Sequence, residues 1–302
     1  MPKIADALRI FAPEEWGQVD HFMAFYNQTY SFDARDKRAA SGIRNHFRKA
    51  ITLIRLGEKL RPNLKIDQQQ LETFGYTPAE NGEEISTIIE AAILELYSTV
   101  DCTVKVLRAI YGKCRGFKDS TRKVFQSVRN IGGNFPDPIR QAIIDAAWYW
   151  QLMKLRDELV HLGTGRVYEN KETCMVRYDH FGLKENEKPF SIDDIYSWLQ
   201  TLLDQINGFI GAIFHYLNQT LADREIFQAC GMSQGKMLWR YVSPAGKVTF
   251  NSGRCGAWVW FENPGETPCP FIPMCGAYER KAPAPNGAPP IALDSTEEHL
   301  SK

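Results

Sequence analysis

The sequence has no surplus of either charge. Lysine and arginine together number 36, as do aspartate and glutamate, and the formal net charge is zero. That excludes a nucleic-acid binder driven by its global field, so any such affinity has to come from local clusters. No apolar run approaches the length of a membrane span, and no membrane partner is expected. The opening residues Met1-Pro2-Lys3-Ile4 form no apolar signal core. The seven cysteines are odd in number and unevenly spaced, unlike a secreted disulfide scaffold, so a reducing cytoplasm is expected. Also absent are a C-x-x-C knuckle and a G-x-S-x-G elbow. Gly231 to Gly235 is not a phosphate-binding loop despite the adjacent Lys236, because the G-x-x-x-x-G-K-[ST] order is missing.

What is present is a chain of 302 residues with an ordinary apolar fraction of 44%, enough for one large domain or two smaller ones. Phe22, Phe25, Tyr26 and Tyr30 are spaced to pack. Residues 35 to 60 predict a basic amphipathic helix with Ile43, Phe47, Ile51, Ile54 and Leu56 inward. Gln68-Gln69-Gln70 and Gly75 to Gly82 read as a connection, which places a boundary at residue 82. From Glu83 a long helix follows with Ile85, Ile89, Ala92, Leu96, Val100, Val104 and Leu107 in period. Asp119 can cap a short helix that presents Val124, Phe125, Val128 and Ile131. The stretch 105–129 is locally basic, and Lys113, Arg115, Lys118, Arg122 and Lys123 are its candidate RNA contacts.

The densest chemistry lies in Leu155-Arg156-Asp157-Glu158-Leu159-Val160-His161-Leu162-Gly163. Pro138, with Asp137 as N-cap, can open a helix over 138–162 whose stripe is Ile144, Trp148, Leu152, Leu155, Leu159 and Leu162. Gly163 can stop it. Arg156 is a permanent cation, and His161 would stand at the negative end of the helix dipole. Such a pair suits holding and hydrolysing a phosphodiester. Asp157 and His161, four apart, would equally suit a plain helix-surface pair. Arg156 and His161 lie about 140° apart around an ideal helix, so a common site needs helix-end distortion or a second protomer.

R-x-x-x-x-H with a small polar residue after the arginine, closing an apolar helix, resembles the signature of HEPN domains. The resemblance spans roughly residues 83–222. It implies an all-helical bundle, and a metal-independent ribonuclease of the prokaryotic toxin or antiviral-defence kind. Arg156, Asp157 and His161 would then be catalytic, RNA the partner and a homodimer the assembly, with an antitoxin or defence-system protein as a further partner. The tyrosine that some members carry two residues after the histidine is replaced by Gly163. A non-catalytic nucleotide- or protein-binding module is the alternative the same resemblance allows. Asp101 and Glu95, on the preceding long helix, are candidates to orient Arg156.

Val167, Tyr168 and residues 173–178 predict a small hairpin, and Ser191 with Asp194 a capping box opening a long helix from Ile195 to Leu221. Strands are predicted at Lys236 to Val242, Lys247 to Phe250 and Trp258 to Phe261. Cys230, Cys255, Cys269 and Cys275 fall among them. They are the only zinc candidates, but their spacings of 25, 14 and 6 positions are irregular, and no cofactor is expected. His21, His46, His180 and His215 are scattered singly and read as packed or surface residues. The expected fold is mainly α: an N-terminal helical extension (1–82), a HEPN-like helical bundle (83–222), a small cysteine-containing β-rich lobe (223–280) and a disordered tail (281–302).

Overall fold

A computed structural model describes residues 7–185, 187–262 and 268–283. The fold is mainly helical, with two small antiparallel sheets. Two compact units divide the chain. One comprises Gly17–Leu221, and the other joins the described residues before 17 to those after 221.

The compact units meet after residues 16 and 221, and no division falls at 82. Residues 17–82 share one body with the motif helix, while strand β1 (Ala7–Arg9) belongs with the C-terminal strands. In the larger unit, α1 (Gln18–Phe25) is followed by α2 (Ala34–Leu60), which starts where Asp33 and Asp36 cap each other's backbone N–H groups. Helix α2 packs along α4 (Glu80–Tyr111). Ile43 and Ile54 are buried, Phe47 and Ile51 are partly so, and Leu56 is exposed, contrary to expectation. Small residues set the close approach. A Cβ at Gly42 would stand 2.9 Å from the Cys102 sulfur.

The connection predicted before residue 82 contains a helix, α3 (Leu64–Phe74), which ends at Gly75 with φ +67°. Its Asp67 accepts hydrogen bonds from Gly82 N at 2.8 Å and Asn81 Nδ2 at 2.6 Å, capping the first turn of α4. Helix α5 (Thr121–Ser127) is capped by Ser120 rather than Asp119.

The single helix predicted over 138–162 is two, α6 (Asp137–Asp145) and α7 (Tyr149–His161). Pro136, not Asp137, is the N-cap of α6. The break at 146–148 lets adjacent aromatics pack in different directions. Trp148 meets Phe209 edge-on at 5.7 Å, and Tyr149 stacks on Phe125 at 3.7 Å. Leu152 and Leu155 are buried as expected, but Leu162 is 78% exposed, so the apolar stripe ends before it.

The predicted hairpin has a third strand. β2 (Arg166–Glu169), β3 (Val176–Glu185) and β4 (Lys188–Ile192) form an antiparallel sheet in that order. Ser191 lies in β4, and Asp194 alone caps α8 (Ile195–Gln219), accepting from Ser197 N. The inner face of α8 is buried from Ile195 to Leu217.

In the smaller unit the sheet order is β1, β5 (Ile226–Ser233), β6 (Lys236–Val242) and β7 (Arg254–Cys255). Gln234 and Gly235 join β5 to β6 with positive φ at both positions, the turn that matches strand twist. Lys247 to Phe250 is not a strand, and Trp258–Trp260 is a single 3-10 turn. Trp258 instead donates its indole N–H to Ala282 O at 2.7 Å. Ala282 is 2% exposed, so the fold runs past residue 280, while the remainder of the predicted tail, from 284, lies outside the described residues.

Candidate functional site

Arg156 is half-buried on α7, and its guanidinium is held from two sides. The carbon Cζ lies 5.0 Å from the Tyr97 ring centroid, and Nη1 donates to Asp157 Oδ1 at 2.9 Å. The other carboxylate oxygen of Asp157 is 3.8 Å from Arg122 on α5. Two cations thus share one anion and leave a net positive surface. Tyr97 rests in turn on Tyr149, their centroids 6.3 Å apart. Burial above all raises the Tyr149 phenol, with Tyr97, Asp101 and Asp157 adding to the effect.

Neither carboxylate expected to orient Arg156 does so. Asp101 accepts from Thr121 at 2.6 Å and pairs with Lys105 at 2.7 Å. Glu95 ties α4 to α2 through His46 and Lys49. Burial raises the Glu95 carboxyl, but those two hydrogen bonds outweigh it and hold it below its ordinary range.

His161 is the last residue of α7 and is exposed. The helix stays regular to that point, with Leu162 N and Gly163 N both donating to Glu158 O. No distortion therefore brings the imidazole round to Arg156. Five positions place it about 7.5 Å further along the axis and about 140° around it. Lys113, Arg115, Lys118 and Lys123 are exposed and pair with no carboxylate among the described residues. The structure brings Arg122, Arg156 and Asp157 together and leaves His161 at the helix end.

Residues 163–166, directly after the motif, are fixed by groups the sequence did not single out. Glu90 Oε1 accepts from Gly165 N at 2.6 Å and from the Tyr178 hydroxyl at 3.0 Å. A Cβ at Gly165 would stand 2.3 Å from the Tyr178 ring, so only glycine fits there. His180, 1% exposed, bonds Gly163 O through Nε2 at 3.1 Å while Leu183 N donates to Nδ1, which fixes the Nε2–H tautomer. His180 is a packed histidine, as its isolation in the sequence suggested. The signal for Glu90 was available: a carboxylate in the inward register of α4, between Ile89 and Ile93.

Cys230, Cys255, Cys269 and Cys275 all lie in the smaller unit as free thiols. Burial pushes Cys230 up to about 12 and Cys255 to about 11. Among the described residues no three His, Cys, Asp or Glu side chains are arranged to hold a metal ion. The buried cation beside them is Arg240, 1% exposed and set between the Phe11 and Phe250 rings at 4.5 and 4.7 Å. It donates to Ser252 O at 3.0 Å and to the Cys275 sulfur at 3.2 Å. Among the described residues no helix is long and apolar enough to cross a membrane. No protein-family model, curated protein or solved structure matches the chain.

Proposed function

We propose that the protein is a HEPN-like endoribonuclease that cuts RNA through attack of a ribose 2′-hydroxyl on the adjacent phosphorus. The reaction leaves a 2′,3′-cyclic phosphate and a 5′-hydroxyl. The attacking oxygen belongs to the substrate, so the protein has to move protons and stabilise phosphoryl charge. His161 takes the first role and Arg156 the second, with Asp157 orienting Arg156. The observation that carries this reading is the guanidinium of Arg156, half-exposed yet fixed between Tyr97 and Asp157 with Arg122 beside it. A fixed fork reaching solvent suits bidentate capture of a phosphodiester. Lys113, Arg115, Lys118 and Lys123 extend the positive surface along the RNA backbone.

A regular α7 that separates Arg156 from His161 favours a site completed by a second copy of the chain. We therefore assign a homodimer with two facing motifs. A toxin or antiviral-defence role in the cytoplasm, restrained by an antitoxin or defence-system protein, follows from the same resemblance. One observation favours the alternative of a non-catalytic binding module: Asp157 already occupies part of the Arg156 fork.

The deciding measurement is cleavage of single-stranded RNA by purified protein in a chelator. His161→Ala should slow it by roughly 10² to 10⁴, and Arg156→Ala by a comparable factor. Products should end in a cyclic phosphate. Equal cutting by wild type and His161→Ala, or none by either, would remove the nuclease reading in favour of the binding module.

A further inference from the structure

A concave site lies in the larger unit, between α3, the first turns of α4 and β2. It is a cleft of about 520 Å³, within the size range of small-molecule sites. Leu64, Leu71, Val167 and Tyr168 give it apolar walls, and Glu90 lines its buried side. Glu90 is 8% exposed, and both of its hydrogen bonds fall on Oε1. Oε2 accepts no hydrogen bond from the described residues. Burial raises the Glu90 carboxyl, against the bonds from Gly165 and Tyr178.

Of the other charged groups of the cleft, Asp67 and Lys171 are already engaged, Arg166 and Glu83 are exposed, and Glu169 is a second, half-exposed carboxylate at the end of β2. Asp67 is used on the backbone of Asn81 and Gly82. Lys171 pairs with Glu72 at 2.7 Å. No lysine or arginine among the described residues forms an ion pair with Glu90, and the nearby His180, which would lower its carboxyl if charged, is held in the neutral Nε2–H tautomer. A carboxylate left without a counter-charge in an apolar cleft is costly, and an incoming cation removes that cost.

We propose that this cleft binds a small organic cation, an ammonium or amidinium group on an apolar body, with the charge on Glu90 Oε2 and the body against Leu71 and Tyr168. The cleft contains neither Arg156 nor His161, and its test reads ligand binding, not RNA cleavage. The full chain is titrated by calorimetry with benzamidinium and phenethylammonium, and with the neutral analogues benzamide and 2-phenylethanol.

The cations should bind roughly tenfold or more tightly than their neutral analogues, the scale of one charge-assisted hydrogen bond. Glu90→Gln keeps an amide oxygen for Gly165 and Tyr178 and should abolish that preference. Thr87→Trp, on the exposed edge of α4 where it lines the cleft, should block cations and neutral analogues alike. It leaves the Glu90 bonds intact, so the test stands even if Glu90→Gln misfolds. Absence of cation binding into the millimolar range, equal binding of neutral analogues, or binding unchanged in Thr87→Trp would each overturn the proposal.

Discussion

Arg156 lies over the face of Tyr97, its guanidinium carbon 5.0 Å from the ring centroid. The two residues are on different helices, α7 and α4, and the contact fixes a side chain that would otherwise sample many rotamers. Tyr97→Phe keeps the ring and should leave RNA cleavage within a few-fold of wild type. Tyr97→Ala removes a contact of about 0.5–2 kcal/mol and should slow cleavage by up to about thirtyfold. Circular dichroism would confirm that both variants remain folded, and a Tyr97→Ala enzyme of full activity would show that Arg156 needs no such support.

The separation of Arg156 from His161 along α7 gives a complementation test. If each site takes its arginine from one protomer and its histidine from the other, Arg156→Ala and His161→Ala chains, each inactive, should restore activity when mixed. Random pairing would leave one intact site in each mixed dimer, and recovery should approach roughly a quarter of wild type. Sedimentation would establish the dimer first. No recovery from a confirmed mixed dimer would mean that each site draws both residues from one chain.

The cluster before α7 predicts a salt dependence. Affinity for single-stranded RNA should fall with salt, with a logarithmic slope of about −0.7 for each phosphate neutralised. Replacing Lys113, Arg115, Lys118 or Lys123 by alanine should reduce that slope by one such step without changing the cleavage position. Fluorescence anisotropy over a salt series reads it directly, and a slope unmoved by all four substitutions would place the RNA elsewhere.

Glu95 joins α4 to α2 through His46 and Lys49, and its carboxyl is held below its ordinary range in the fold. A lowered folded pKa means stability that is fully present above the unfolded value and lost as pH falls through the folded one. Lys49 is well exposed, so solvent screening keeps the contribution small. Glu95→Gln should cost about 1 kcal/mol near neutral pH. The difference from wild type should shrink as the pH drops below the ordinary carboxylate range. Urea denaturation at two pH values would check it, and a constant difference would show that the charge contributes nothing.

The sequence alone determined the long helices. Periodic apolar residues mark α4 and α8, and β6 and the start of β2 were visible in β-branched and aromatic runs bounded by turn formers. The R-x-x-x-x-H pattern of Arg156, Asp157 and His161 stands in six consecutive residues. Tertiary structure decided what local pattern cannot encode. The short strand β1 pairs with β5, more than 200 positions away, because an edge N–H row finds its partner in space and not in sequence. The break between α6 and α7 arises because Trp148 and Tyr149 answer to different neighbours, although the period through them is unbroken. The partners of Arg156 were likewise set by packing: Tyr97 and Arg122 come from helices that precede it, and only the folded chain brings their side chains to it.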